Sequence, residues 1–274
     1  MLTRLIPRTS EPLPAIGLGP WQSFDISDSP AEITPRRAVL HALLAAGGRV
    51  IDSSPMYGRS EATIGRLLAT LPPGTPRPFL ATKVWTRGHA AGVAQMERSL
   101  ALMGTTCMDL MQVHNLLDWR THLPVLRDWK RAGRIRYLGI THYAHSEFDA
   151  LESLLHSEAV DFIQLPYNLA DRAAEARLLP AAAATGTAVL VMRPLAEGGL
   201  LTRLRTRPLP AVAADLRCTS WAQLCLTFIL AHPAVTCAIP ASGNPAHFAD
   251  DLGAARGPLP DAAACRAILA AAGL

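Results

Sequence analysis

The chain has 274 residues, 50% of them hydrophobic and 18% charged, a composition that excludes global disorder and supplies a sizeable core. Its formal charge of +4 comes from scattered arginines without a run of like charge, so a nucleic-acid-binding face is not expected.

Short apolar runs alternate with longer helical patterns from residue 15 onward. The first strand is expected at "AIGLGP" (15–20), followed by a helix near 34–47 that starts at Thr34-Pro35 and stops at Gly47-Gly48. "RVIDS" (49–53) leads to a helix near 60–70 opening at Ser60, and "PFLATKV" (78–84) to one near 90–103. "MDLMQVH" (108–114), a helix near 121–133 ended by Gly133, "IRYLGIT" (135–141) and a helix near 146–157 continue the pattern. Next come "VDFIQLP" (160–166), a helix near 172–185 and "AVLVM" (188–192). An irregular stretch at 193–217 then precedes a helix near 219–232, "VTCAIP" (235–240) and a helix near 245–252.

Eight strands alternating with eight helices, with no linker between halves, predict a (β/α)8 TIM barrel, an α/β fold in a single domain over 1–274. Residues before 15 are expected to form a short N-terminal hairpin, and "DAAACRAILAAAGL" an extra C-terminal helix. The rival, a doubly wound open sheet, is disfavoured because no G-x-G-x-x-G follows the first strand. The loop at 193–217 is long enough to be functional.

The five cysteines are odd in number and widely spaced, which favours free thiols in a reducing compartment over disulfides or a metal site. "MLTRLIPRTS" lacks a long apolar h-region. "LLPAAAATGTAVLVM" is broken by Pro180 and Gly186 and is too short to span a bilayer. A cytoplasmic protein without membrane contact is the expectation.

A barrel gathers its active site at the C-terminal ends of its strands. There Asp52 ends the second strand, Lys83 the third and His114 the fourth, with Tyr57 in the loop leaving the second. Singly, each residue has a plain structural role open to it: a turn, a rim contact, a snorkelling side chain, a core histidine. Their convergence at one face is the informative signal. Of the 26 basic residues only Lys83 and Lys130 are lysines, and Lys83 stands in an apolar run where a charge is costly without a partner.

The chemistry open to this group is specific. A phenol is a poor acid near neutrality, a neighbouring ammonium favours its phenolate, and a carboxylate keeps that ammonium charged. An imidazole adds a donor that orients a carbonyl oxygen. The set polarises and protonates a carbonyl, and it lacks the nucleophile and base of acyl transfer.

With these residues placed, the sequence resembles the aldo-keto reductase superfamily along nearly its whole length. The matching motifs are "GLGPW" (17–21), "IDSSPMYGRSEATIG" (51–65), "ATKVW" (81–85) and "DLMQVHN" (109–115). "GRIRYLGITHY" (133–143), "IQLPYN" (163–168), "RPLAEGGLL" (193–201) and "IPASGNPAHFADDL" (239–252) continue them in family order. The resemblance implies Tyr57 as general acid, Asp52 and Lys83 as its support, and His114 as the group orienting the substrate carbonyl. It implies a nicotinamide cofactor held without a Rossmann fingerprint. Thr141, His142 and Gln164 would hold the carboxamide. Met192, Arg193, Pro194, Leu195 and Gly198 would cover the nicotinamide and pyrophosphate, and Ser242, Asn244, His247, Asp250 and Asp251 would surround the adenosine end.

Departures from the family pattern keep alternatives open. Thr141-His142 stands where Ser-Asn is usual, and Met192-Arg193 where an aromatic residue and a serine are common. Arg193 either binds a phosphate or pairs with Glu197. Ala241 and His247 replace common basic contacts to the adenosine 2′-phosphate, and Asp251 a common asparagine. NADP(H) is therefore favoured by resemblance and NAD(H) is possible.

Trp21, Trp85 and Trp119 follow strands on the catalytic face and are expected to wall a substrate pocket. The implied activity is NAD(P)H-dependent reduction of aldehydes or ketones to alcohols. The alternatives are the reverse oxidation of an alcohol or sugar, and a cofactor-sensing, non-catalytic binding subunit. A small carbonyl compound is the expected partner, with no metal, nucleic acid or membrane, and a monomer or small homo-oligomer.

Overall fold

A computed structural model spans Met1–Leu274. The expected hairpin is present: β1 (Thr3–Ile6) and β2 (Glu11–Pro14) pair antiparallel, with Ile6 opposite Glu11. Seven parallel strands follow in chain order: β3 (Val50–Asp52), β4 (Phe79–Val84), β5 (Met108–His114), β6 (Ile135–Thr141), β7 (Phe162–Pro166), β8 (Ala188–Met192) and β9 (Val235–Ala238).

The segment predicted as the first strand supplies the eighth stave, as two bridges rather than a ladder. Ile16 bridges Ala238 of β9, and Leu18 bridges Ile51 of β3. The Gly17 amide donates to the Ala238 carbonyl at 2.9 Å and the Leu18 amide to Val50 at 2.8 Å, so the chain binds both edges and closes the barrel. Glycine is needed for that approach, because a Cβ at Gly17 would stand 2.7 Å from the Val50 Cβ.

Helices α1 (Pro30–Ala45), α2 (Ser60–Ala69), α3 (His89–Leu102), α4 (Trp119–Arg131), α5 (Phe148–Ser157) and α6 (Leu178–Thr185) fall in the gaps between strands. Two short helices, α7 (Gly199–Leu204) and α8 (Val212–Asp215), give the irregular stretch structure of its own. Then come α9 (Trp221–Ala231), α10 (Pro245–Gly253) and the terminal α11 (Ala262–Ala272). No helix is long and apolar enough to cross a membrane.

The first helix begins a turn earlier than Thr34-Pro35 implied. Pro30 occupies the first helical position, where its missing amide costs nothing, and the Glu32 carboxylate accepts the Ser27 amide at 2.7 Å. The helix expected at 172–185 is instead a 3-10 turn, Ala173–Ala176, and then α6, separated at Arg177 (φ −140°).

Alternation along the strands sorts their side chains. Ile51, Leu80, Val84, Met111 and Val113 face the helices in the outer core. Val50, Phe79, Leu110, Tyr137 and Phe162 meet inside the barrel, where Ile6 and Leu13 of the hairpin join them. The hairpin therefore plugs one end of the barrel with apolar side chains. Toward the other end the same period turns polar, with Asp52, Lys83, Gln112, His114, Thr141 and Gln164 all buried.

Glu61, on the first turn of α2, is buried between that helix and β4, where Thr82 Oγ1 donates to its Oε1 at 2.5 Å. Burial pushes its carboxyl above the ordinary carboxylate range, against the Thr82 hydrogen bond. With the folded-state pKa raised, this group's stability contribution is complete below the unfolded pKa and is lost as pH rises through the folded value. Glu61→Gln is thus expected to gain thermal stability relative to the parent as pH rises from 5 to 8. Parallel melting curves across that range check it, and a difference independent of pH would mean that folding does not raise the Glu61 pKa.

Candidate active site

At the C-terminal end of β3, Asp52 points into the barrel and accepts three side-chain hydrogen bonds. Lys83 Nζ and Gln164 Nε2 donate to its Oδ2 at 2.6 and 2.9 Å, and Gln112 Nε2 donates to its Oδ1 at 2.9 Å. Lys83, from β4, is 0% exposed, and its ammonium also donates to the Ser53 carbonyl at 2.7 Å. Burial acts to lower the Lys83 pKa, but Asp52 and then Tyr57 outweigh it and the ammonium is held above its ordinary value. A buried charge so paired stays charged.

Two of the three ammonium donors are thus engaged within the protein. Nζ stands 5.2 Å from the Tyr57 ring centroid, and that ring meets the His114 ring edge-on at 5.9 Å. The phenol departs from the sequence expectation in one respect. Lys83 does act to lower its pKa, yet burial is the larger influence and the net shift is upward. Tyr57 is therefore a protonated donor at neutral pH, and the phenolate is favoured only relative to a phenol buried without Lys83.

His114 ends β5 and is held below protonation: burial first, then Lys83 and His142, push its pKa down to about 2. Its Nδ1 lies 2.9 Å from Ser54 Oγ. Asp52, Tyr57 and His114 all line one cavity of about 750 Å³, within the range of small-molecule sites, and Lys83 lies sealed beneath them. A neutral imidazole and a neutral phenol beside a buried cation can hold and protonate a polarised oxygen.

The cavity continues from this cluster to the first turn of α10. Gln164, Met192, Arg193, Pro194, Leu195 and Gly198 line its middle, and Ser242, His247, Asp250 and Asp251 its far end. Three named cofactor candidates do not line it. Thr141 is buried behind the wall, with its Oγ1 3.4 Å from Gln164 Oε1. His142 accepts the Ala144 amide at 3.1 Å and stacks on Tyr143. Asn244 spends its side chain capping α10, accepting from Ala246 and His247.

Arg193 lies over the Tyr143 ring with Cζ 4.8 Å from its centroid, and its Nε is 3.0 Å from Glu197 Oε1. Arg193, Ala196 and Glu197 all adopt positive φ (51°, 49° and 56°) without being glycine, a concentration of backbone strain on the cavity wall. At the α10 end, Asp250 is taken up by Ser220 Oγ (2.5 Å) and Gln223 Nε2 (2.6 Å). Burial, then Asp250, push Asp251 up to about 7.

The three tryptophans separate. Trp21 lines the cavity. Trp85 stands at the rim, 39% exposed, with its ring 6.4 Å from that of His114. Trp119 is not on the wall: it starts α4, packs against the outer core and carries Arg120 over its ring at 4.4 Å. A position after a strand places a residue at the right end of the barrel but does not aim its side chain.

Sequence reasoning passed over two residues. Gln112 shares its inward parity with Leu110 and His114, so strand alternation alone would have flagged it. Its room inside the barrel comes from Gly139, where a Cβ would lie 3.0 Å from Gln112 Cγ. Arg36, on α1, donates through Nε to the Ser23 carbonyl at 2.7 Å, and its guanidinium reaches to 3.1 Å from where a Gly243 Cβ would be. It sits beside the 242–244 loop with a cation that the loop itself lacks. No local motif marks it, because helix and loop are far apart in sequence.

A family model described as the aldo/keto reductase family matches residues 15–267. An aldo-keto reductase of Mycolicibacterium smegmatis is 32% identical over 213 residues, 73% of this chain and 71% of that protein. The NADH-specific methylglyoxal reductase of Escherichia coli is 30% identical over 70% of this chain and 64% of its own. Among solved structures, an aldo-keto reductase from Klebsiella pneumoniae in complex with NADPH superposes with a TM-score of 0.78. It is 26% identical over 96% of this chain and 93% of that one.

Proposed function

Because this chain belongs to the aldo/keto reductase family, we propose that it is an NAD(P)H-dependent oxidoreductase that reduces aldehyde or ketone carbonyls to alcohols. The whole chain, 1–274, works as one domain around one site. The observation that carries this reading is the buried Lys83–Asp52 pair set beneath the Tyr57 phenol, with a neutral His114 beside it on the same cavity wall.

Tyr57 gives its proton to the carbonyl oxygen, and the Lys83 ammonium stabilises the phenolate left behind. Asp52 keeps the ammonium charged and in place. His114 orients the oxygen. When bound, the nicotinamide supplies the hydride that the carbonyl carbon accepts. The groove from Gln164 to Asp251 fits an extended dinucleotide: an amide at the inner end, a strained turn with Arg193 midway, and polar groups at the α10 end.

The adenosine end favours NADP(H). Arg36, whose guanidinium lies beside Gly243, supplies a positive charge that the 242–244 loop lacks. Asp250 is occupied by two donors, and an Asp251 that titrates near 7 opposes a 2′-phosphate less at neutral pH than a fully ionised carboxylate would.

The test is a paired fluorescence titration with NADPH and NADH, followed by turnover of methylglyoxal as probe. NADPH is expected to bind more tightly, and Arg36→Gln is expected to cut the NADPH/NADH affinity ratio about tenfold, roughly one charge-assisted contact. An unchanged ratio would remove Arg36 from the cofactor site. Binding of neither nucleotide by the folded protein would remove the redox reading altogether.

A further inference from the structure

Ser54 is fully buried in the loop that leaves β3, two residues after Asp52. Its hydroxyl has two partners. It accepts the Met56 backbone amide at 3.1 Å and lies 2.9 Å from His114 Nδ1. An amide can only donate, so that contact fills one acceptor site of the hydroxyl and leaves its proton to place. No backbone carbonyl or carboxylate offers itself to Ser54 Oγ; the acceptor available is His114 Nδ1. A buried hydroxyl left without an acceptor would cost about 1–3 kcal/mol.

The imidazole must be neutral to serve as that acceptor, and its surroundings agree. It is buried, close to the Lys83 ammonium, and strongly disfavoured as a cation. A neutral imidazole carries a single N–H, and if Nδ1 accepts, the proton is on Nε2. Nε2 has no hydrogen-bond partner within the protein, and His114 lines the cavity beside Tyr57.

We propose that Ser54 is a positioning residue whose hydroxyl, donating to Nδ1, fixes His114 as the Nε2–H tautomer and leaves that N–H to face the cavity. The inference rests on the proposed carbonyl reduction for its consequence. With Nε2–H in place, a carbonyl oxygen meets two donors, the Tyr57 hydroxyl and the imidazole N–H. With the other tautomer, the same oxygen would face a lone pair. The chain Met56 N–H to Ser54 O–H to His114 Nδ1 thus runs from a backbone amide, whose proton cannot move, to the ring whose Nε2–H faces the cavity. It ties the direction of the histidine's donor to the backbone of the loop that carries Tyr57.

Nitrogen-15 histidine NMR of the cofactor-free protein at pH 7 reads the tautomer without reference to activity. The expected His114 signal is that of a neutral ring protonated at Nε2; a ring protonated at Nδ1, or an imidazolium, would overturn the proposal. In Ser54→Ala, the Nδ1–H form is expected to become populated. kcat for methylglyoxal should fall about tenfold, a fraction of what loss of a full oxyanion donor costs, with NADPH affinity unchanged. An unaltered tautomer in Ser54→Ala sinks the proposal even if activity drops, because the loss would then be structural. An Nε2–H wild type whose tautomer responds to Ser54→Ala, yet which reduces no carbonyl compound, would uphold Ser54's role and remove the reaction proposed above.

Discussion

Tyr57→Phe is expected to abolish measurable carbonyl reduction, lowering kcat by about 10³-fold, within the range assigned to a positioned general acid. The substitution removes one oxygen and keeps the ring. The edge-on contact with His114 and the apolar part of the cavity wall should survive, and with them the fold. NADPH affinity should change less than twofold, because in the proposed reaction the hydroxyl serves the reacting oxygen and not the dinucleotide. Steady-state kinetics beside a binding titration separates the two effects. Turnover within a factor of three of the parent would show that another group delivers the proton. Simultaneous loss of binding would mean that Tyr57 shapes the cofactor groove instead.

Lys83→Met carries the second large effect, on stability and activity together. The ammonium is wholly buried against an almost wholly buried carboxylate. Removing it leaves Asp52 ionised inside the barrel with only the Gln112 and Gln164 amides to solvate it. Stranding one partner of a buried pair costs about 3–5 kcal/mol, against little for replacing both. Urea unfolding should show that loss for Lys83→Met and recovery of most of it in Asp52→Asn/Lys83→Met. Turnover should stay low in both, because neither variant offers a cation to the Tyr57 phenolate that the proposed reaction forms. A single variant as stable as the parent would contradict the burial of the pair. Recovered turnover in the double variant would separate Lys83 from the chemistry.

Much of this molecule was legible in the sequence where a period or a scarcity spoke. Strand positions followed from apolar runs of strand length, and the alternation within them turns Asp52, Lys83 and His114 to the same side of the wall. The apolar setting of Lys83, in a chain that otherwise uses arginine, pointed to an interior partner before any geometry was known. Boundaries were read less well because local signals compete. Pro35 looked like a helix start, yet Pro30 and the reach of Glu32 back to Ser27 begin α1 earlier.

Side-chain direction was the larger loss. Trp119, His142 and Asn244 stand near the cavity in sequence terms, yet their side chains are directed elsewhere, and Thr141 is covered by Gln164. Trp119 packs outward, His142 lies on Tyr143, and Asn244 caps a helix. Arg36 was hidden for the opposite reason. Its proposed role depends on α1 packing beside α10, a contact between elements more than 200 residues apart.

The hairpin plug has a kinetic meaning. With Ile6 and Leu13 filling the floor beneath Phe79, Tyr137 and Phe162, the barrel is closed at that end, and its cavity opens at the other. Two molecules sharing one doorway cannot exchange independently. Whichever is seated deeper arrives before its companion and departs after it. For the proposed reaction that is the dinucleotide, whose inner end lies beside Gln164, with the carbonyl compound nearer the Trp85 rim. For that reaction, ordered binding is the expected result, with the dinucleotide entering before the carbonyl compound.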